Sequence, residues 1–238
     1  MIQDLIISTL PKFSLIRPTT GNKIWFRPFL VKEEKKLLTA QTLGSKEEII
    51  KAIEETINSC FDDINASTLP TFEFEYFYVQ LRMKSISESI SAKLTCPETG
   101  EKIDLDLDLG EIKVSMPEKS SKNIEISDKI IFTMRYPTYS DIMQLKEENS
   151  YEDSIDLAVN CITTITTPDA VHSVTKDDKK ELKETILNLT PKQFSKIIDF
   201  FDSMPKYEYI FKYKTSDGIE RSVLLSGIED FFTVASVT

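Results

Sequence analysis

Two runs of strict alternation around a short polar turn constrain this chain more than any other feature. Before Cys96, Ile90, Ala92 and Leu94 alternate with Ser89, Ser91, Lys93 and Thr95. After the turn, Ile103, Leu105, Leu107 and Leu109 alternate with Asp104, Asp106 and Asp108. Side chains of a strand point alternately to opposite faces, so a period of two gathers each apolar set on one side. With Pro-Glu-Thr-Gly-Glu (97–101) between them, the runs predict an antiparallel hairpin whose outer face is wet and acidic. Cys96 continues the apolar face, where a thiol packs as a small hydrophobe.

A Cys-Pro opening a Gly-containing turn also looks like one arm of a zinc knuckle. A knuckle needs Cys-x-x-Cys, and Thr99 stands at the second position. Cys60 and Cys161 lie far along the chain on expected helices, and His172 is the only histidine. That leaves no plausible tetrahedral set for structural zinc. The aspartates sit on a straight strand, whereas a calcium loop is a Gly-bent turn. The hairpin reading stands, and neither metal nor cofactor is expected.

At 238 residues the chain can bury a sizeable core as one large domain or two small ones. Its 29 basic and 39 acidic residues leave a net charge of −10. Phosphate backbones and anionic membrane surfaces need a basic footprint, so neither nucleic acid nor membrane is expected as a partner. No apolar run approaches the ~20 residues that span a bilayer. The start, MIQDLIISTLPKF, lacks the basic residues and small-residue cleavage site of a signal peptide. Three widely spaced cysteines fit buried thiols in a reducing compartment, so a cytosolic acidic protein is expected.

Pro11 and Pro18 exclude a long helix at the start. PTTGNKIWFRPF (18–29) reads as a turn feeding a short strand, and VKEEKKLLTAQ (31–41) as a helix. Ser45 and Glu48 form a capping box ahead of Ile49, Ile53, Ile57 and Cys60 at helical spacing. FEFEYFYVQLRMKSI (72–86) is a helix apolar on nearly every side, central to the core or pressed against another chain. Residues 110–122 are loose and polar, and 123–137 resume strand character up to Pro137. A short helix (140–149) and a longer one (150–165, with Ile155, Val159 and Ile162 on one face) follow. Residues 166–178 read as a loop or short strand, and 178–189 as another helix.

TPKQFSKIIDFFDSM (190–204) is the clearest helix: Thr190 caps it, Pro191 opens it and Gln193 completes the box. Phe194, Ile197, Ile198 and Phe201 are its expected core face. KYEYIFKYK and IERSVLLSGI then flank the Ser216-Asp217-Gly218 turn as a second hairpin. No internal repeat is visible. The fold expected is α+β, with helical N- and C-terminal parts, a central antiparallel β-hairpin region and a C-terminal β-hairpin. Its parts are a strand-plus-helices segment (1–85), a β-rich excursion packing as a subdomain (86–137), and a helical part closed by the hairpin (138–238).

Catalytic constellations are scarce. His172 lies in a polar stretch without a nucleophile elbow, and six isolated glycines exclude a P-loop or dinucleotide fingerprint. Carboxylate pairs such as Glu33-Glu34 and Asp177-Asp178 sit at helix starts, where acids suit the dipole. A site built across the fold from carboxylates or His172 is the weakest of the readings.

Four stretches carry a resemblance. PTTGNKIWFRPFLVKEEKKLL (18–38), YFYVQLRMKSISE (76–88), FFDSMPKYEYIFKY (200–213) and LLSGIEDFF (224–232), in this order, resemble baseplate hub proteins of T-even-like contractile-tailed phages. The resemblance covers about residues 11–232. It implies a non-enzymatic component of the tail baseplate hub, acting through protein–protein interfaces with other hub or tail proteins in a symmetric hetero-oligomer. It places the chain in the virion tail, and in the host cytoplasm during assembly. A transient assembly factor or chaperone absent from mature particles is the alternative. The family brings no catalytic residues. As structural-signature or interface positions it implies Arg27, Pro28 and Phe29 bending strand into helix, with Glu33, Glu34 and Lys35 capping and charging that helix. It adds Tyr76 and Phe77 in the aromatic helix, Met204 and Pro205 ending the long one, and Phe231 and Phe232 anchoring the tail.

Overall fold

Strands occur all the way from Phe13 to Ser226, and this corrects the expected arrangement. The computed structural model describes residues 9–43, 45–117, 121–145, 150–228 and 230. These are α+β, but not helical ends around a central hairpin: antiparallel sheets lie in every part. Two compact units form, Met1–Ser115 with Lys206–Thr238, and the contiguous Met116–Pro205.

The first unit opens with β1 (Phe13–Ile16) paired antiparallel to β2 (Lys23–Phe26), from Phe13↔Phe26 to Ile16↔Lys23. Gly21 takes the positive φ the connection needs. Alternation buries Leu15 and Phe26 and leaves Ile16 and Trp25 exposed on the other face. Two helices follow, α1 (Val31–Leu43) and α2 (Lys46–Cys60), the second capped by the Ser45 side chain, which accepts the Glu48 N–H, one half of the expected box. The aromatic helix α3 (Thr71–Ser85) is core: Phe72, Phe74, Phe77, Tyr78, Val79 and Leu81 are all buried. Rings run through this core in sequence, with centroids 5.8 Å apart for Phe13–Phe26, 4.7 Å for Phe26–Phe61 and 4.8 Å for Phe61–Phe77.

β3 (Ser89–Thr95) and β4 (Lys102–Asp108) form the hairpin read from alternation, in register from Ser89↔Asp108 to Thr95↔Lys102. Cys96 is buried at its tip. β5 (Lys113–Ser115) ends this part of the unit.

The second unit starts with the hairpin β6 (Asn123–Ser127) and β7 (Ile130–Met134). A short α4 (Tyr139–Ile142) and then α5 (Tyr151–Cys161) follow. The helix expected over 150–165 stops at Cys161, and Ile162–Thr166 is strand β8. Five consecutive β-branched residues (Ile-Thr-Thr-Ile-Thr) are stiff at χ1 and fit a pleated sheet, so pairing with β7 outweighs the helical spacing of Ile162. With β9 (Val171–Ser173) the sheet order is β6-β7-β8-β9. Helices α6 (Lys179–Leu187) and α7 (Pro191–Asp202) complete the unit. The α7 capping box of Thr190 and Gln193 is present in both directions. Its buried face is Phe194, Ile197 and Phe200, not the expected Ile198 and Phe201, because Tyr136 stacks on Phe200 at 5.4 Å.

The chain then returns to the first unit. β10 (Lys206–Lys214) pairs with β5 on one side and β11 (Glu220–Ser226) on the other. Lys206 stands directly opposite Ser115.

Candidate functional site

The residues singled out at 27–33 form a closed device. Arg27 follows the last residue of β2, and Glu33 lies in the first turn of α1. The first N–H groups of a helix and its last carbonyls have no partners within the helix. Glu33 serves the start of α1: its Oε2 accepts the Leu30 N–H at 2.8 Å. Its Oε1 accepts Arg27 Nη2 at 3.1 Å. The guanidinium serves the end of α2, donating to the Ser59 carbonyl at 3.0 Å, and it also reaches the Pro28 carbonyl at 2.9 Å. The Arg27 main-chain N–H donates to the Cys60 carbonyl at 3.0 Å. One arginine thus ties a strand end to the start of one helix and the end of another. Burial tends to raise the Glu33 pKa, but the Leu30 amide and the Arg27 guanidinium outweigh it, and the carboxyl titrates below its ordinary value.

Arg135 does the same work in the second unit. It donates Nη1 to Asp141 Oδ2 at 2.6 Å and Nη2 to Oδ1 at 2.9 Å, a bidentate pair. It also reaches the carbonyls of Tyr136 (3.2 Å) and Asn160 (2.9 Å), and its N–H donates to the Cys161 carbonyl at 2.8 Å. Asp141 accepts the Thr138 N–H at 2.8 Å, and burial is again outweighed by Arg135 and Thr138, which lower its pKa. Sequence reading missed this clamp, although Thr138-x-x-Asp141 after Pro137 is a capping-box signature. The cysteines behind both clamps are sealed: burial pushes the thiols of Cys60 and Cys161 up to about 12.

The Pro-Thr-Thr-Gly turn is held by Glu73, a fully buried residue of α3 that sequence reading passed over. It accepts Arg17 Nε at 3.0 Å, the Thr19 N–H at 2.8 Å and the Thr19 hydroxyl at 2.6 Å.

A family model described as T4 bacteriophage base plate protein matches residues 10–233. The chain belongs to that family. Neither curated proteins nor solved structures give a match. Membership makes it a component of the phage tail baseplate, located in the virion tail and working alongside other tail proteins.

In this base plate protein the implied signature positions scatter. Arg27 and Pro28 are half-buried, and Phe29 is buried with its N–H on the Ser85 hydroxyl at 3.0 Å. Glu34 is half-buried and Lys35 exposed on α1. Phe77 has no exposed surface, while Tyr76 is half-buried between Phe77 and Tyr207. Met204 and the buried Pro205 follow α7. Phe231 and Phe232 lie outside the described residues. Only Arg27, Pro28 and Glu33 meet in one site.

The tips of the β3–β4 and β10–β11 hairpins form a further cluster. Arg221 Nε donates to Glu98 at 2.8 Å, and its guanidinium grips Asp217 (Nη2 2.8 Å, Nη1 3.0 Å) and the Thr215 hydroxyl. The Ser216 N–H donates to Glu101 at 2.9 Å. Hydrogen bonds from Thr99, and after it from Tyr213, hold the buried Cys96 thiol down at about 7. Among the described residues no group of three His, Cys, Asp or Glu is placed to hold a metal ion. His172 is exposed on β9, lining an open groove of about 530 Å³ with Ile165, Leu182 and Glu181. No helix is long and apolar enough to cross a membrane among the described residues.

Proposed function

We propose that the protein is a non-enzymatic structural subunit of the baseplate hub, acting through protein–protein surfaces within a symmetric hetero-oligomer. The observation that carries this reading is the match to a phage base plate family over residues 10–233. The clamps support it. Arg27, Glu33, Arg135 and Asp141 spend their hydrogen-bonding groups on main-chain carbonyls, amides and one another, as scaffold residues do rather than acid–base groups awaiting a substrate. Exposed apolar residues offer contact surface: Ile16 and Trp25 on the outer face of β1–β2, and Val31 and Leu38 on α1. Of these Trp25 is the residue type that dominates association energies.

The resemblance at 18–38, 76–88, 200–213 and 224–232 favours the hub within the baseplate. Quantitative mass spectrometry of purified mature phage tests this. A fixed copy number matching hub symmetry is expected. Absence from particles, with abundance in infected-cell extracts, would replace the structural reading with that of a transient assembly factor.

A further inference from the structure

We infer that residues 13–85 and 123–202 are two copies of one module, produced by an internal duplication that the sequence no longer displays. Five hydrogen bonds recur at corresponding places. In each copy the arginine after the hairpin donates its main-chain N–H to a buried cysteine carbonyl, Cys60 or Cys161. Its guanidinium donates to the carbonyl of the residue before that cysteine, Ser59 or Asn160. It also reaches the carbonyl of the residue after itself, Pro28 or Tyr136. It pairs with a carboxylate at an offset of 6, Glu33 or Asp141. That carboxylate accepts the N–H at an offset of 3, from Leu30 or Thr138.

The correspondence extends beyond the clamp. The residue before each arginine pairs antiparallel with the residue after each cysteine, Phe26↔Phe61 in one copy and Met134↔Ile162 in the other. Each copy is then closed by a helix whose N-cap residue is preceded by leucine: Leu69-Pro70 for α3 and Leu189-Thr190 for α7. Each helix runs from the turn end of its own hairpin towards its own clamp. The third residue of each touches the turn end of the first hairpin, Glu73 on Thr19 and Gln193 on the Ile126 carbonyl. The last turn of each touches the clamp end, Ser85 on Phe29 and Phe200 on Tyr136. Aligned on that third residue, the buried Phe74 and Phe77 fall on the buried Phe194 and Ile197.

Isolated arginine clamps arise readily, since helix ends always offer unpaired carbonyls. A clamp, a strand pair and a closing helix anchored at both ends in the same sense are far harder to assemble twice independently. The copies differ where loops and insertions are tolerated. The first has a long α1, which sets Arg27 and Ser59 32 residues apart against 25 for Arg135 and Asn160. The second adds β9 and α6 before its closing helix.

An experimental structure of the full chain tests the duplication. With the main chain of 25–33 and 59–61 laid on 133–141 and 160–162, α3 and α7 are expected to cross the same face of their hairpins in the same direction, Phe77 over Ile197. Helices that cross opposite faces, or run in opposite directions, would overturn common descent and leave two convergent clamps.

Discussion

Arg27 and Arg135 make nearly the same bonds in different surroundings. The side chains of Arg27 and Glu33 are 16% and 4% exposed, whereas those of Arg135 and Asp141 are 40% and 8% exposed. The second clamp has the better geometry, a bidentate fork, yet its guanidinium is more open to water. The cores behind them differ as well. Four rings succeed one another through the first unit, while in the second Tyr136–Phe200 and Tyr151–Phe194 meet α7 as separate pairs. Removing one partner of a desolvated pair leaves a buried charge, and the depth of burial more than the number of bonds decides the cost. The first unit should therefore be the more brittle to substitution. Trp25, the only tryptophan, lies in it, so fluorescence follows that unit alone while circular dichroism follows both.

The largest contrast is expected in the cores. Phe77→Ala should cost about 4 kcal/mol, as large-to-small changes at fully enclosed aromatic sites do. A urea titration followed by Trp25 fluorescence would show it. Phe200→Ala should leave that fluorescence transition in place and shift only the circular dichroism. A common shift in both signals would mean that the units unfold as one. Next come the clamps. Arg27→Ala should destabilise the first unit by about 3 kcal/mol because Glu33 is stranded. Arg135→Ala should cost about 1–2 kcal/mol, since water can reach Asp141's lost partner site. Equal costs would refute burial as the deciding factor.

Acid sharpens the same comparison. Glu33 and Asp141 both titrate below the unfolded values of ~4.3 and ~3.9. A carboxyl depressed in the folded state contributes stability that is complete above its unfolded pKa and drains away as pH falls through the folded one. Both units should weaken below about pH 4. Glu33→Gln should flatten the pH dependence of the fluorescence-detected urea midpoint, and Asp141→Asn should not. The smallest effect concerns caps. Thr190→Ala, which removes a reciprocal capping box, should cost about 1 kcal/mol, and Ser45→Ala less, because Ser45 caps through a long bond from the Glu48 N–H. Melting temperatures of the two variants would rank them.

What was legible in the sequence was local. Alternation over 89–109 gave the hairpin and its two faces, and Thr190-Pro191-Gln193 gave the start of α7, because those signals lie within a few residues of what they specify. The switch at Ile162 was hidden, since a strand of β-branched residues continued the spacing of the helix before it. The partnership of β5 with β10 joins Ser115 to Lys206, and no local pattern encodes a contact of that separation. The second clamp and the repeat were hidden for a related reason. RPFLVKE and RYPTYSD share only the arginine letter for letter, while the shared geometry lies in carbonyls, which every residue supplies.

The facing of Ser115 and Lys206 has a further consequence for synthesis. Translation delivers Met116–Pro205 whole before Lys206 leaves the ribosome. Until then β5 is a bare edge, and the first unit lacks β10 and β11. The later-encoded unit can therefore reach its native state while the earlier one is still waiting, and β10 with β11 acts as the latch.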